Sequence, residues 1–282
     1  MTRFHFISGL PRSGSTLVSA ILRQNPRFHA GISSSLCPLF TSTMNIMAGE
    51  SHALISGERR ENVLRGLFAS WAADLPEGTV MFDTNRLWTA RLPALLAIMP
   101  DAKIICTVRS VAAIMDSIER LIRANPLLPS RLFNDDERAN VYTRTDALSQ
   151  RNRLVGSSWT CLKEAFYGPD ANSLLVVDYD YLAQAPAKVM SLIYEFLGEV
   201  PFVHDFDKIV FDEPDFDEEL RMPGLHKVRA QVRFEPRFAA AARSVRTLQR
   251  TEFLDRHNAE PGQPDPVASG SGQRDGCANG MN

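Results

Sequence analysis

Cysteine is scarce in this chain. Its four residues, Cys37, Cys106, Cys161 and Cys277, lie far apart and form no CxxC pair, which argues against a zinc site and gives no disulfide framework. They read as reduced, mostly buried thiols. Long apolar runs are missing too: none approaches the roughly 20 residues that cross a bilayer. The N-terminus offers one Arg and a brief apolar stretch before Gly9 and Pro11, too little for a signal peptide. A cytoplasmic protein without a membrane span is expected. Excess charge is the third absence. The net value is −2, which argues against a nucleic-acid partner held by bulk electrostatics. Any anion site must be local.

What is present suffices for a core. With 282 residues, 44% hydrophobic and 23% charged, the chain can form one large domain. No repeat or second domain is evident. Residues 1–259 read as that domain. From Glu260 the composition turns to Pro, Gly, Ser and Asn with almost no apolar residues, so 260–282 is expected to be a disordered tail.

The most informative stretch is Arg3 to Leu22, RFHFISGLPRSGSTLVSAIL. Phe4 to Ser8 is a short apolar strand, Gly9 to Ser13 a turn, and from Ser15 the spacing is helical. Such a loop aims several backbone N–H groups, at the positive end of a helix dipole, toward one point. Gly14 permits close approach, Ser15 and Thr16 add hydroxyls, and Arg12 adds a charged fork. A phosphate or sulfate group suits it. Gly9 and Gly14 have the spacing of the nucleotide-binding pattern GxxxxGK[ST], but Ser15 stands where that pattern requires Lys. Nucleotide hydrolysis is therefore disfavoured.

LPRSGSTL resembles instead the phosphosulfate-binding loop of sulfotransferases that use 3′-phosphoadenosine 5′-phosphosulfate (PAPS). The resemblance extends along the chain. Ala102 to Val108 is a near-continuous apolar strand, suited to a parallel sheet buried on both faces. It ends in Arg109, eight residues before Ser117 on the helix expected over Val111 to Ile122. Arg-x7-Ser after a buried strand resembles the family's 3′-phosphate-binding segment. A nucleotide hydrolase would be expected to end one such strand in a carboxylate for its metal. The late segment GLHKVRAQVRFEPR, with His226, Lys227, Arg229, Arg233 and Arg237, resembles the family's basic loop over the 3′-phosphate.

Between these features the chain reads as alternating strands and helices. Phe28 to Ile32 is a short strand, and Ser33 to Pro38 a loop. Residues 58–75 form an amphipathic helix with Trp71 in the core. Val80 to Phe82 form a strand ending in FDTNRLW, and Leu92 to Met99 a helix. Residues 126–145 are irregular around a short helix, and 147–167 form one long helix. Leu174 to Val177 is a strand, and a helix carrying Val189 to Leu197 is ended by Gly198 and Pro201. Tyr181 and Tyr194 are expected to pack. Asp205 to Glu219 is acidic and poor in regular structure.

The resemblance covers roughly residues 4–250 and implies an α/β fold, three-layered with a mostly parallel central sheet, like that of P-loop NTPases. It also implies sulfuryl transfer from PAPS, without a metal, to a small-molecule or carrier-bound hydroxyl acceptor. Arg12 would act on the transferring group, within a cradle of Pro11, Arg12, Ser13, Gly14, Ser15 and Thr16. Arg109 and Ser117 would hold the 3′-phosphate, with Lys227 and Arg229 closing over it. Cytosolic members carry Lys-x-His where this strand reads FDTNR, and tyrosylprotein-type members a Gly-Glu-Glu turn where this chain has Gly31, Ile32 and Ser33. Asp83 is then the nearest base and Arg86 the nearest cation for the bridging oxygen, with His29 as a second base candidate. The helices between residues 40 and 75 and the loop region 126–145 would cover an apolar alcohol or phenol. Two rival classes remain open: a nucleotide or small-molecule kinase, and a non-catalytic anion-binding module.

Overall fold

A computed structural model describes residues 2–211, 214–219 and 221–235. The expected tail, the domain limit at 259, Cys277 and Arg237 lie outside the described residues.

β1 (Arg3–Gly9) leads through α1 (Ser15–Leu22) to β2 (Phe28–Ser33). Next come α2 (Leu36–Ala48), α3 (Gly57–Trp71), β3 (Val80–Thr84), a 3-10 turn (Arg86–Arg91) and α4 (Leu92–Ile98). β4 (Ile104–Val108) and α5 (Val111–Ala124) precede α6 (Asp135–Arg138), α7 (Val141–Ser149) and α8 (Leu154–Tyr167). β5 (Leu174–Asp178), α9 (Tyr179–Gln184), α10 (Pro186–Leu197) and α11 (Pro214–Glu219) follow.

The five strands form one sheet in the order β2-β3-β1-β4-β5, every pairing parallel. Strand alternation sends the residues of central β1 to opposite faces. On one face Phe4 and Phe6 meet Phe68 of α3 and Trp88, with Phe6 4.6 Å and Phe40 of α2 5.7 Å from the Trp88 ring. On the other, Ile7 joins Val18 and Ile21 of α1, Leu182 of α9, and Ile193 and Tyr194 of α10. Helices thus cover both faces, giving three layers. After β1 the chain runs outward through β2 and returns by β3, then crosses to β4 and β5. The crevice outside the carboxyl ends of β1, β3 and β4 is a topological switch point, where open α/β sheets bind their ligands.

Several local expectations change. Cys37 and Pro38 belong to the first turn of α2 rather than to a loop, because Pro is tolerated where helical N–H groups have no partner. The hydroxyl of Ser34 accepts the Leu36 N–H at 3.0 Å there. Trp71, at the end of α3, is 38% exposed, and Trp88 fills the core instead. The helix expected over 147–167 is two, α7 and α8, with the first turn of α8 packed closely on the end of α7. Gly156 makes that possible, since a Cβ there would lie 2.2 Å from the Gln150 carbonyl oxygen. Tyr194 is buried, its hydroxyl 3.1 Å from both Asn25 Nδ2 and His204 Nε2, whereas Tyr181 is 40% exposed.

His5 on β1 is buried, its Nδ1 accepting the Lys103 N–H at 3.3 Å. Burial, reinforced by Arg3 and Lys103, lowers its pKa from 6.5 to about 4. The unfolded chain then binds more protons between those values, so stability is full above pH 6.5 and is lost as pH falls toward 4. Going from pH 7 to pH 5 should cost about 2 kcal/mol through this residue. Urea unfolding of wild type and His5→Gln at both pH values checks it, and equal acid slopes in the two proteins would contradict it.

Candidate active site

A cavity of about 520 Å³ opens at the carboxyl edge of the sheet. The loop between β1 and α1 forms its floor, with Pro11, Arg12, Gly14, Ser15 and Thr16 in the lining. Ser13 does not face it: its buried hydroxyl lies 2.7 Å from Thr107 Oγ1 and 2.9 Å from the Thr107 carbonyl oxygen, tying the loop to β4. Arg12 has φ 57°, a left-handed conformation that L-residues other than Gly, Asn and Asp seldom adopt. Its side chain holds it there, donating from Nε to Ser117 Oγ of α5 at 3.2 Å and from Nη1 to the Leu225 carbonyl. The first loop, α5 and the late basic segment therefore meet at one guanidinium.

Arg109, just beyond β4, also lines the cavity. Its side chain is 6% exposed, lies 3.8 Å from Asp180 Oδ1, and stacks 4.1 Å above the ring of Tyr179. The same ring abuts Gly14, where φ is +99° and a Cβ would come within 2.6 Å of Tyr179 Cδ2. Gly14 is thus fixed twice, by backbone conformation and by space. Lys227, Arg229 and Arg233 line it too, Arg229 paired with Glu235, which raises its pKa. Arg86 and Arg131 add two more cations, and no Asp or Glu is among the described lining residues. In a chain of net charge −2, this concentrates positive potential in a single crevice.

A correction concerns Asp83. It sits at the end of β3, as the sequence suggested, but its carboxylate points into the core and it is 2% exposed. One oxygen accepts the Trp88 Nε1–H at 2.7 Å and the other the Ser34 hydroxyl. Burial pushes its pKa up against the pull of those bonds. It is not among the residues that line the cavity. Asp83→Asn offers one oxygen to two donors and should cost about 1–3 kcal/mol of stability, read as a lower urea midpoint. Turnover should fall no further than folding does, and a fall in kcat of about 10²-fold or more at unaltered stability would return Asp83 to the site as its base.

His29 is exposed on β2, outside the cavity. α2 and α3 contribute no lining residue, so of the two expected covering regions only 126–145 does, through Arg131 and Leu132. Tyr179 was missed by the sequence reading. Its signal was position: it directly follows β5, as Arg109 follows β4. Among the described residues, no three of His, Cys, Asp and Glu are grouped to hold a metal ion.

Comparison with known proteins gives this geometry a context. The sequence matches the profile of the Sulfotransferase family over residues 5–202. No curated protein matches it. Among solved structures, sulfotransferase STF9 from Mycobacterium avium superimposes with TM-score 0.50 at 17% identity, over 92% of this chain and 78% of that one. A sulfotransferase from Alicyclobacillus acidocaldarius gives 0.46 at 20% identity, over 78% and 90%. STF9 shares the fold, and the family profile spans more than half of the sequence: the chain belongs to the sulfotransferase family.

Proposed function

We propose that this protein transfers the sulfuryl group of PAPS to the hydroxyl of a small-molecule or carrier-bound acceptor. The observation that carries the reading is a single cavity in which the Arg12 loop, at the N-terminus of α1, meets Arg109 and Ser117. PAPS is an anion at both ends, and the cleft is lined by the cations Arg12, Arg86, Arg109, Arg131, Lys227, Arg229 and Arg233. The strand β4 ends in Arg109 rather than in a carboxylate suited to a metal-bound nucleotide.

Arg12 and the amides of residues 13–16 would hold the phosphosulfate end, and Arg109 with Ser117 the 3′-phosphate. Transfer resembles phosphoryl transfer, with a loose anionic transition state stabilised by donors already in place. Arg86 would neutralise charge on the bridging oxygen as the sulfur–oxygen bond breaks. Lys227 and Arg229 would screen the nucleotide from water. Ile32, Leu132 and Leu154 give the cavity an apolar side, which favours an apolar alcohol or phenol as acceptor.

Titration with 3′-phosphoadenosine 5′-phosphate (PAP), ATP and ADP, with and without Mg²⁺, tests the reading. PAP should bind most tightly and without need of Mg²⁺, and PAPS should be converted to PAP when an acceptor is present. Mg²⁺-dependent preference for ATP would transfer the site to a kinase. PAP binding without turnover would leave only an anion-binding module.

A further inference from the structure

We propose that His226 takes the proton of the acceptor hydroxyl, held for this by Asp217 as its positioning residue; the assignment rests on the sulfotransfer reading above. His226 belongs to the late basic segment, for which the family resemblance implies a place over the 3′-phosphate. Its geometry points elsewhere. Nδ1 lies 2.5 Å from Asp217 Oδ1, and the His226 backbone N–H donates to Asp217 Oδ2 at 2.9 Å. Two bonds from one carboxylate fix both the backbone and the ring.

Asp217 is anchored in turn. Its side chain is 1% exposed, and its carbonyl accepts the Met222 N–H at 3.0 Å. Phe216 packs edge-on against the imidazole, ring centroids 5.3 Å apart. In the neutral ring the hydrogen bond to Asp217 assigns the proton to Nδ1 and leaves the lone pair on Nε2. His226 lines the cavity, and it is the one His among the described lining residues, which include no Asp or Glu. The preceding residue, Leu225, has its carbonyl held by Arg12. The segment that carries the imidazole is therefore tied to Arg12 of the loop that would cradle the sulfuryl group.

The step balances. The acceptor oxygen forms its bond to sulfur while the bond from sulfur to the phosphate oxygen breaks. That oxygen keeps the electron pair and leaves as PAP. The hydroxyl proton moves to His226 Nε2, and the buried Asp217 carboxylate stabilises the imidazolium until the proton passes to water.

His226→Ala should lower kcat about 10²–10⁴-fold, the usual contribution of a general base, with the PAP Kd unchanged within threefold. Added imidazole should restore part of the rate. Asp217→Asn should lower kcat with little change in the KM for PAPS, because a ring in the wrong tautomer binds nothing less well but accepts no proton. The reaction to follow is conversion of PAPS to PAP with 2-naphthol, with 1-octanol, or with water alone. Calorimetric PAP titration shows that each variant retains its fold. A His226→Ala protein that turns over like wild type, or a loss of rate that imidazole does not relieve, overturns the assignment and leaves the sulfotransfer reading standing. Wild type that binds PAP yet converts PAPS with none of the three acceptors overturns both.

Discussion

Arg12→Ala should lower turnover of PAPS about 10²–10³-fold, as removal of one preorganised oxyanion donor does. The guanidinium already spans the gap between α5 and the late segment, through Ser117 and the Leu225 carbonyl. In the transition state its fork would meet charge that develops on the transferring group. Alanine bears the same left-handed cost at φ 57° that arginine does, so the substitution removes the side chain without adding backbone strain. Arg12→Lys separates charge from geometry: it keeps the cation and loses the bidentate fork. Its rate should fall between those of wild type and Arg12→Ala. Unchanged kcat in Arg12→Ala would remove this loop from the chemistry.

The second large effect is one of discrimination. PAP and AMP share their 5′ end, and only PAP carries a 3′-phosphate. If Arg109 and Ser117 meet that phosphate, wild type should prefer PAP over AMP at least tenfold, since loss of one partner of a desolvated charge pair costs about 2–5 kcal/mol. Arg109→Ala should abolish the preference by weakening PAP, while Arg12→Ala should weaken both nucleotides. Arg109 also stacks on Tyr179, so its removal could disturb the neighbouring loop. Tyr179→Phe, which retains the ring, is the control and should keep the preference. Calorimetric titration of both nucleotides against the four proteins decides it. Equal affinity of wild type for PAP and AMP would contradict the 3′-phosphate assignment.

The sheet was legible because its strands are short apolar runs, four of them running into Gly9, Asp83, Arg109 or Asp178, and a parallel sheet buried on both faces needs little more from sequence. The first loop was legible because Gly, Pro and Ser cluster there around an arginine that no turn requires. Asp83 was misread for a reason particular to it. Its place at a strand end follows from sequence, but its direction depends on the register that sets it beside Phe6 of β1, and on Trp88 offering an N–H to the core. The two tryptophans exchanged roles likewise. Helical spacing favours Trp71, whereas the 3-10 turn that buries Trp88 has no periodicity to read. The pairing of Asp217 with His226 joins residues nine apart across a turn, in a segment that sequence shows only as acidic and then basic. Hydrogen-bond partners at that separation leave no pattern in composition or spacing.

The ring of Tyr179 has Gly14 against one part of it and the Arg109 guanidinium over its face. An aromatic ring neither bends nor compresses, so it works as a gauge block between the Gly14 backbone and the Arg109 guanidinium. Selectivity then need not come from reading the nucleotide's base. If the two phosphates of PAP meet these two groups, a ligand whose phosphates are spaced differently, such as a 2′-phosphate isomer, would fit one end at the cost of the other.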